Sequence, residues 1–268
     1  MASAETAKVR YERSGAAAVL TIDRPERRNA VDAETAQGLL DGFLQFESDD
    51  GARALVLTGA GPEAFCAGAD LKAIAEIGPQ TAPEAIEAVS ERPEGPMGFT
   101  RLAASKPTIA AVSGWCLAGG LELALWCDLR IATETARLGY PERRWGVPLI
   151  DGGTQRLPRI VGQGRALEMI LTGRIVEAPE ALHWGLVNEV TPPERHLDRA
   201  LELAEGLAGF PQDTMLSDRR AALEGLGLPL EQALELESEL GRSSIEAGIR
   251  GAARFAGGEG RHGEGSGA

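Results

Sequence analysis

Two glutamates are the residues of this sequence best suited to move protons. Glu122 is the only polar residue between Leu121 and Cys127, and this apolar stretch follows the small-residue turn 118–120. A helix beginning near Gly120 would bury the carboxylate or place it in a pocket, where it must shift its pKa or find a partner. The alternative is an exposed first-turn glutamate that the helix dipole stabilises.

The second glutamate, Glu142, follows twenty positions later. Pro141 fixes a turn directly before it, and Arg143 and Arg144 come directly after it. The same composition fits an exposed cluster of glutamate and arginine, whose ion pairs contribute little to stability. This segment alone therefore leaves a chemical role and a surface role open.

Two segments of small residues could present backbone N–H groups to a ligand. In residues 65–71, glycine and alanine allow a ligand to approach the backbone closely. In residues 113–120, a strand runs into a turn and then a helix, whose first N–H groups are free to stabilise an anion. The triplet 59–61, Gly-Ala-Gly, is not a dinucleotide motif, because no third glycine and no helix pattern follow.

The surrounding elements predict an α/β core. The predicted elements are a hairpin at 9–22, a helix at 32–48 and buried strands at 54–58, 107–112 and 129–132. Strands that alternate with helix-compatible sequence are typical of this fold class. Four prolines interrupt residues 72–99, which predicts a mobile, partly helical flap.

The last part of the chain is predicted to be helical. Helical patterns cover 197–208, 214–224 and 230–249. The glycine-rich tail 257–268 is expected to be disordered, or ordered only by a neighbouring chain. We therefore divide the chain into a core of residues 1–200 and a helical C-terminal region of residues 201–268.

Composition excludes several classes of protein. The length of 268 residues suits one large domain, or one domain with an appendage. A formal charge of −13 with scattered arginines argues against a nucleic-acid partner. No apolar run approaches the ~18 residues that span a bilayer, and the N-terminus lacks the apolar stretch of a secretory signal. We expect no membrane partner and a cytoplasmic location.

The cysteines and histidines give no sign of a metal site. Cys66, Cys116 and Cys127 are an odd number in apolar or glycine-rich surroundings, which predicts reduced, buried thiols. The three histidines are far apart and lack the spacing of metal ligands. We expect no bound metal.

Taken together, these segments resemble the crotonase family of enoyl-CoA hydratases and isomerases over about residues 9–255. The segments that resemble the family are, in chain order, Arg24-Pro25 with Asn29-Ala30, 64–71, 114–128, 152–158, 171–173 and 181–190. The resemblance implies a spiral of ββα units followed by helices that pack on neighbouring subunits. It also implies a homo-oligomer, either a trimer or a dimer of trimers.

The resemblance implies an enoyl-CoA hydratase that adds water syn to 2-enoyl-CoA and gives 3-hydroxyacyl-CoA. The N–H groups of Ala69 and Gly119 would hold the thioester oxygen, Glu122 would handle the water, and Glu142 would exchange the C2 proton. CoA would enter as part of the substrate, with no separate cofactor. The further expected contacts to substrate or CoA are Arg27, Arg28, Ala30, Ala67, Gly68, Asp70, Leu71, Lys72, Gly120 and, toward a neighbour's nucleotide, Phe255.

Other activities stay open within this resemblance. An isomerase needs one proton shuttle, which Glu142 could supply; another crotonase-type lyase or a non-catalytic acyl-CoA-binding protein is also compatible. Many hydratases have Pro-Gly-x-Gly-Gly where this chain has 148–153, with bulky Leu149 and Ile150. Asp151 in that turn is either a turn or capping residue or a third acid. The acyl chain length and the pathway stay open.

Overall fold

The computed structural model describes residues 7–76, 83, 84 and 91–258. The tail beyond residue 258, which is predicted to be disordered, and residues 77–82 and 85–90 of the predicted flap lie outside these residues. The chain divides into two units, Met1–Glu202 and Leu203–Ala268.

The elements follow one another in mixed α/β order. The strands are β1 (Val9–Ser14), β2 (Ala17–Ile22), β3 (Ala54–Gly59), β4 (Ala64–Cys66), β5 (Thr108–Val112), β6 (Trp115–Leu117), β7 (Leu129–Thr133), β8 (Arg137–Gly139), β9 (Ile175–Glu177) and β10 (Glu189–Thr191). The helices are α1 (Ala33–Ser48), α2 (Leu71–Ala75), α3 (Gly119–Trp126), α4 (Gly153–Val161), α5 (Gln163–Thr172), α6 (Ala178–Trp184), α7 (His196–Gly209), α8 (Gln212–Glu224), α9 (Leu230–Arg242) and α10 (Ile245–Ala256), with 3-10 turns at Pro25–Arg27 and Pro141–Trp145.

The strands of the first unit form two sheets. A six-stranded sheet has the order β1-β2-β3-β5-β7-β10, and a four-stranded sheet has the order β4-β6-β8-β9. Strands β3, β5 and β7 of the large sheet are each followed by one strand of the small sheet and then by helical sequence. The chain therefore repeats a ββα unit and advances by one strand in each sheet, which is the predicted spiral.

The large sheet is parallel except for its β1–β2 hairpin. Every residue of β2, β3 and β5 is buried, as expected for parallel strands covered on both faces. Helix α1 packs on the hairpin, with Gly38 against Val9 and Gly42 against Leu20, and buries Leu39, Phe43 and Phe46. Its N-cap residue, Asp32, accepts a 2.8 Å hydrogen bond from the Thr35 N–H, so the helix begins where the sequence predicts.

The second unit is helical. Helix α8 packs against α9 and α10. The single helix predicted over 230–249 is wrong, because α9 ends at Arg242 and α10 begins at Ile245. Serine hydroxyls bind backbone carbonyls at the break, Ser243 to Leu240 O and Ser244 to Asp213 O, and such side-chain bonds compete with helix continuation.

Three further sequence expectations concern the cysteines, membrane-spanning helices and metal-binding groups. The cysteines are free and buried, as predicted. Over residues 7–76, 83, 84 and 91–258, no helix is long and apolar enough to cross a bilayer. The same residues hold no group of three or more His, Cys, Asp or Glu side chains arranged to bind a metal ion.

Candidate active site

The Ala69 N–H is turned away from the backbone beside it. Val31 pairs with Ala69 in a parallel bridge, in which the Val31 N–H donates to Gly68 O at 2.8 Å and the Asp70 N–H donates to Val31 O at 2.9 Å. Because successive N–H groups of an extended segment alternate in direction, the Ala69 N–H points to the opposite side. The residue itself is half-buried.

The Gly119 N–H is the first of helix α3, where no intrahelical acceptor is available. Ala118, directly before it, has φ 51° and ψ −126°, a conformation that a residue with a Cβ rarely adopts. The Ala118 N–H donates to Gly139 O at 2.9 Å, so this strained turn is tied to β8. The turn holds the Gly119 N–H in a fixed direction.

The loop of Ala69 and the turn of Gly119 touch each other. A Cβ built on Gly68 would lie 3.0 Å from the Gly119 nitrogen and 3.1 Å from Leu117 O. A Cβ on Gly120 would overlap the Cys66 carbonyl. Glycine at both positions therefore lets the two backbones approach, and the two predicted N–H donors lie in neighbouring segments.

Glu122 is buried, with 2% of its surface exposed. Its Oε1 accepts hydrogen bonds from the Gly153 N–H at 2.7 Å and the Asp151 N–H at 3.0 Å. Burial raises the pKa of Glu122 to about 7; the Gly153 N–H opposes this rise and the Asp151 charge adds to it. These contacts rule out the exposed first-turn alternative.

Glu142 is also buried, with 4% of its surface exposed. Among the described residues, neither of its carboxylate oxygens has a hydrogen-bond partner. Burial raises its pKa to about 7; its own backbone N–H, which is nearby but forms no hydrogen bond with the carboxylate, and the Arg143 charge oppose this rise. Arg143 and Arg144 are exposed. The surface-cluster interpretation is therefore wrong for the glutamate, although it describes the arginines.

Tyr140 is a site residue that the sequence analysis missed. Its side chain is fully buried, and its hydroxyl has no partner among the described residues. Burial and the charges of Glu122 and Glu142 raise the pKa of Tyr140 well above its usual value, so this tyrosine lies near both carboxylates. Its position directly before the Pro141-Glu142 pair was the available signal.

With this geometry in place, the comparisons decide the family. A family model described as enoyl-CoA hydratase/isomerase matches residues 12–256. The chain belongs to this family. The short-chain-enoyl-CoA hydratase of Clostridium acetobutylicum is 37% identical over 239 residues, 88% of each chain. The carnitinyl-CoA dehydratase of Salmonella arizonae is 41% identical over 203 residues, 74% of each.

Solved structures agree. The enoyl-CoA hydratase EchA1 from Mycobacterium marinum has a TM-score of 0.84 at 33% identity, covering 93% of this chain and 96% of that one. An enoyl-CoA hydratase from Bacillus anthracis has the same TM-score at 31% identity, covering 97% of this chain and 100% of that one. The predicted family and fold class are confirmed, and the predicted hydratase activity agrees with the names of these relatives.

In this enoyl-CoA hydratase/isomerase family member, Asp151 ties the atypical turn to the site. Its carboxylate accepts from the Met97 N–H at 3.0 Å and from the Thr100 hydroxyl, while its own N–H donates to Glu122. Arg156 donates to the Asp151 and Thr100 carbonyls. The carboxylate is thus engaged by protein donors, as in the turn-or-capping interpretation, and Met97 is held against Gly119.

The expected CoA-binding cations lie on the surface near the loop of Ala69. Arg27, Arg28 and Lys72 are exposed, and their side chains form no ion pair within the described part of the chain. The Arg28 carbonyl accepts from the Ala67 N–H at 3.0 Å, and Asp70 caps α2 through the Lys72 N–H at 3.1 Å. These hydrogen bonds place Arg28 and Lys72 on either side of the loop.

Two further polar residues organise this loop. Arg24 is buried; its guanidinium donates to the Ala30 carbonyl and forms 3.1 Å ion pairs with Asp32 and Asp70. The buried Asn29 side chain accepts from the Arg24 N–H and donates to carbonyls of the β3–β4 region. The sequence analysis used both only as marks of family likeness and did not assign them this role.

The remaining predicted contacts are distributed as follows. Ala30 is buried and Leu71 is 40% exposed. Phe255 lies in α10 of the second unit and is 60% exposed. A cavity of about 640 Å³ opens elsewhere in the first unit, beside Thr58, Ser113 and His196. No predicted site residue lines that cavity, so the site is assigned from the loops and carboxylates.

Proposed function

We propose that this protein is an enoyl-CoA hydratase, which adds water syn to 2-enoyl-CoA and releases 3-hydroxyacyl-CoA. The observation that carries the proposal is the pair of buried carboxylates, Glu122 and Glu142, each with its pKa raised to about 7. Hydration needs one base and one acid in the same step, and groups that titrate near neutral pH serve both roles best. The hydratases among the relatives support it.

In the proposed reaction, Glu122 is the base and Glu142 is the acid. As the water oxygen bonds to C3, one water proton passes to ionised Glu122. The electron pair of the double bond shifts through C2 toward the thioester oxygen. In the same step protonated Glu142 delivers its proton to C2, where the electron pair forms the new C–H bond. The exchange of protons with solvent restores both carboxyl groups.

The thioester oxygen gains negative charge during this step. The Ala69 and Gly119 N–H groups would stabilise that charge, since donors fixed before the reaction lose nothing to reorganisation. Removing one such donor typically slows turnover by ~10²–10³-fold. The Gly119 N–H at the start of α3 adds the favourable end of the helix dipole.

The anionic part of CoA is proposed to bind beside Arg27, Arg28 and Lys72. The other proposed contacts to substrate or CoA are Ala30, Ala67, Gly68, Asp70, Leu71 and Gly120. A protein of net charge −13 can bind an anionic ligand there, because a local cluster of cations focuses potential independently of net charge. We propose that no metal or separate cofactor takes part.

An isomerase is the second candidate. The observation that favours it is that neither Glu142 oxygen accepts a hydrogen bond from the described part of the chain, whereas Glu122 Oε1 already accepts two N–H groups. A single unencumbered carboxylate suffices to move a proton between C2 and C4. The two activities differ in whether Glu122 is needed.

A steady-state assay tests the hydratase proposal. Crotonyl-CoA and longer 2-enoyl-CoAs should lose the absorbance of the conjugated thioester, with no dependence on added metal or redox cofactor. Thermal denaturation with and without CoA separates binding from turnover. Stabilisation by CoA without turnover of any enoyl-CoA would instead indicate a non-catalytic acyl-CoA-binding protein.

We further propose that residues 201–268 mediate assembly into a trimer or a dimer of trimers, and that Phe255 reaches a neighbour's nucleotide. Exposed apolar side chains on α9 and α10 support this: Leu230, Leu234, Ile245, Ile249 and Phe255. Light scattering should give a trimeric or hexameric mass, and a monomer at micromolar concentration would contradict it. We propose a cytoplasmic location, which fractionation of cells expressing the protein would test.

A further inference from the structure

The Tyr140 side chain is fully buried, and its hydroxyl forms no hydrogen bond with the described residues. Tyr140 directly follows β8, which pairs with β6 and β9, and its ring is 0% exposed. The hydroxyl oxygen is buried and has no hydrogen-bond partner among the described residues. A buried phenol usually finds a partner, so this oxygen is expected to bind something that the described residues do not supply.

The neighbouring acceptors are unused as well. Both carboxylate oxygens of Glu142, two positions along the chain, are buried without a hydrogen-bond partner among the residues that the structure describes. Burying a polar group without a hydrogen bond is unfavourable, and three such atoms in two residues are unusual for a structural core. A small polar ligand or water between these side chains would satisfy them together.

The Tyr140 hydroxyl also lies close to Glu122. A Cβ built on Gly153 would be 2.5 Å from Tyr140 Oη and 3.0 Å from Glu122 Oε1. Because both distances are measured from the same point, Tyr140 Oη and Glu122 Oε1 are at most roughly 5.5 Å apart. Two oxygens at that separation can share one bridging water. Glu122 Oε1 is itself fixed by the Asp151 and Gly153 N–H groups. The hydroxyl and the proposed base can therefore hold the same water.

We propose that Tyr140 is a third catalytic residue, whose hydroxyl oxygen accepts one hydrogen of the reacting water while Glu122 accepts the other. With both hydrogens engaged, a lone pair of the water is left to face C3. When the water oxygen bonds to C3, the proton on the Glu122 side moves to Glu122, and the hydrogen on the Tyr140 side stays on the product hydroxyl. This inference rests on the proposed hydratase function.

The chain has two tyrosines, which supplies a matched control. Tyr140→Phe removes only the unpartnered hydroxyl. We expect kcat for crotonyl-CoA hydration to fall ~10-fold or more, the worth of one hydrogen bond to the reacting water, with KM changed less. Thermal stability should not fall, since the hydroxyl forms no hydrogen bond with any described residue. Tyr11→Phe removes a 2.9 Å hydrogen bond to Asp49 and should lower stability while leaving kcat unchanged.

A binding measurement separates this inference from the proposed function. Calorimetry should show that Tyr140→Phe weakens 3-hydroxybutyryl-CoA by several-fold but leaves butyryl-CoA unchanged, because only the former carries the oxygen that Tyr140 contacts. Wild-type kcat in Tyr140→Phe, or equal losses for both ligands, overturns the role of Tyr140. A wild-type enzyme that hydrates no enoyl-CoA overturns the proposed function instead, and the ligand comparison still decides whether Tyr140 contacts a C3 hydroxyl.

Discussion

Gly68 lies so close to Gly119 that a β-carbon on Gly68 would stand 3.0 Å from the Gly119 nitrogen. The same β-carbon would be 2.8 Å from the Ala118 Cβ, and Gly68 has φ +91°, which side-chain-bearing residues rarely adopt. Only glycine therefore allows the loop of Ala69 and the turn before α3 to meet. The separation of the two proposed oxyanion donors depends on this contact.

Gly68→Ala should push the two donor segments apart. We expect kcat to fall by ~10²-fold, because a displacement of about 1 Å in a catalytic group costs that much. Gly227→Ala is the matched control: Gly227 has φ +95° but nothing within 4 Å of the added Cβ, so it carries the backbone strain without the clash. A Gly68→Ala enzyme with wild-type kcat would show that the donor spacing does not depend on this contact.

The cations beside the loop should govern CoA affinity. Arg28→Ala combined with Lys72→Ala is expected to weaken CoA binding by ~3- to 10-fold at low salt, with a smaller difference at high salt, because exposed charges are screened. Arg53→Ala is the control, because Arg53 is an exposed cation away from the proposed CoA site. It lies at the start of β3, whereas the loop of Asn29 contacts Gly59 at the other end of that strand. Unchanged affinity in the double variant would mean that CoA binds elsewhere.

Glu122 should make stability depend on pH. Burial raises its folded pKa from 4.5 to about 7, so between these values the folded protein keeps a proton that the unfolded chain releases. The unfolding free energy therefore falls as pH rises from about 4.5 to 7 and is then level. Glu122→Gln removes this loss and should be more stable than wild type at pH 8 by about 1–3 kcal/mol, with the difference vanishing toward pH 4.5.

Glu180→Gln is the control of opposite sign. A hydrogen bond from Arg174 lowers the pKa of Glu180, so this ion pair contributes stability above the usual pKa of a glutamate that is lost as pH falls. The substitution should slightly destabilise the protein at pH 8 and have no effect in acid. Urea titrations at several pH values measure the unfolding free energy of both variants. If this free energy depends on pH in the same way for Glu122→Gln and wild type, then folding does not raise the pKa of Glu122.

Sequence analysis identified a site residue most clearly where its polarity differs from that of the residues around it. Glu122 stands alone on an apolar helix, so its burial could be predicted, whereas the charge of the arginines after Glu142 concealed a buried carboxylate. The Arg24–Asp70 and Thr100–Asp151 bonds could not be predicted, because the partners lie 46 and 51 positions apart along the chain. The three-residue strands of the small sheet carry too little pattern to identify without the pairing that defines them.

The sharpest prediction concerns the two carboxylates. In a hydratase both act in one transition state, so Glu122→Gln and Glu142→Gln should each lower kcat for hydration by at least ~10²-fold while acyl-CoA binding stays largely intact. Groups that act as a unit are not additive, so the double variant should be little worse than the poorer single variant. Glu180→Gln, far along the chain and on the surface, should retain wild-type turnover.

The same variants separate the two candidate activities. An isomerase moves one proton between carbons and would lose all activity with Glu142→Gln but little with Glu122→Gln, because no water must be held at C3. Single-turnover rates with 2-enoyl-CoA and 3-enoyl-CoA substrates, measured alongside calorimetric binding of a saturated acyl-CoA, distinguish lost chemistry from lost binding. If both variants turn over every enoyl-CoA at the wild-type rate, then these glutamates are not the proton-transfer groups and the reaction is a different one.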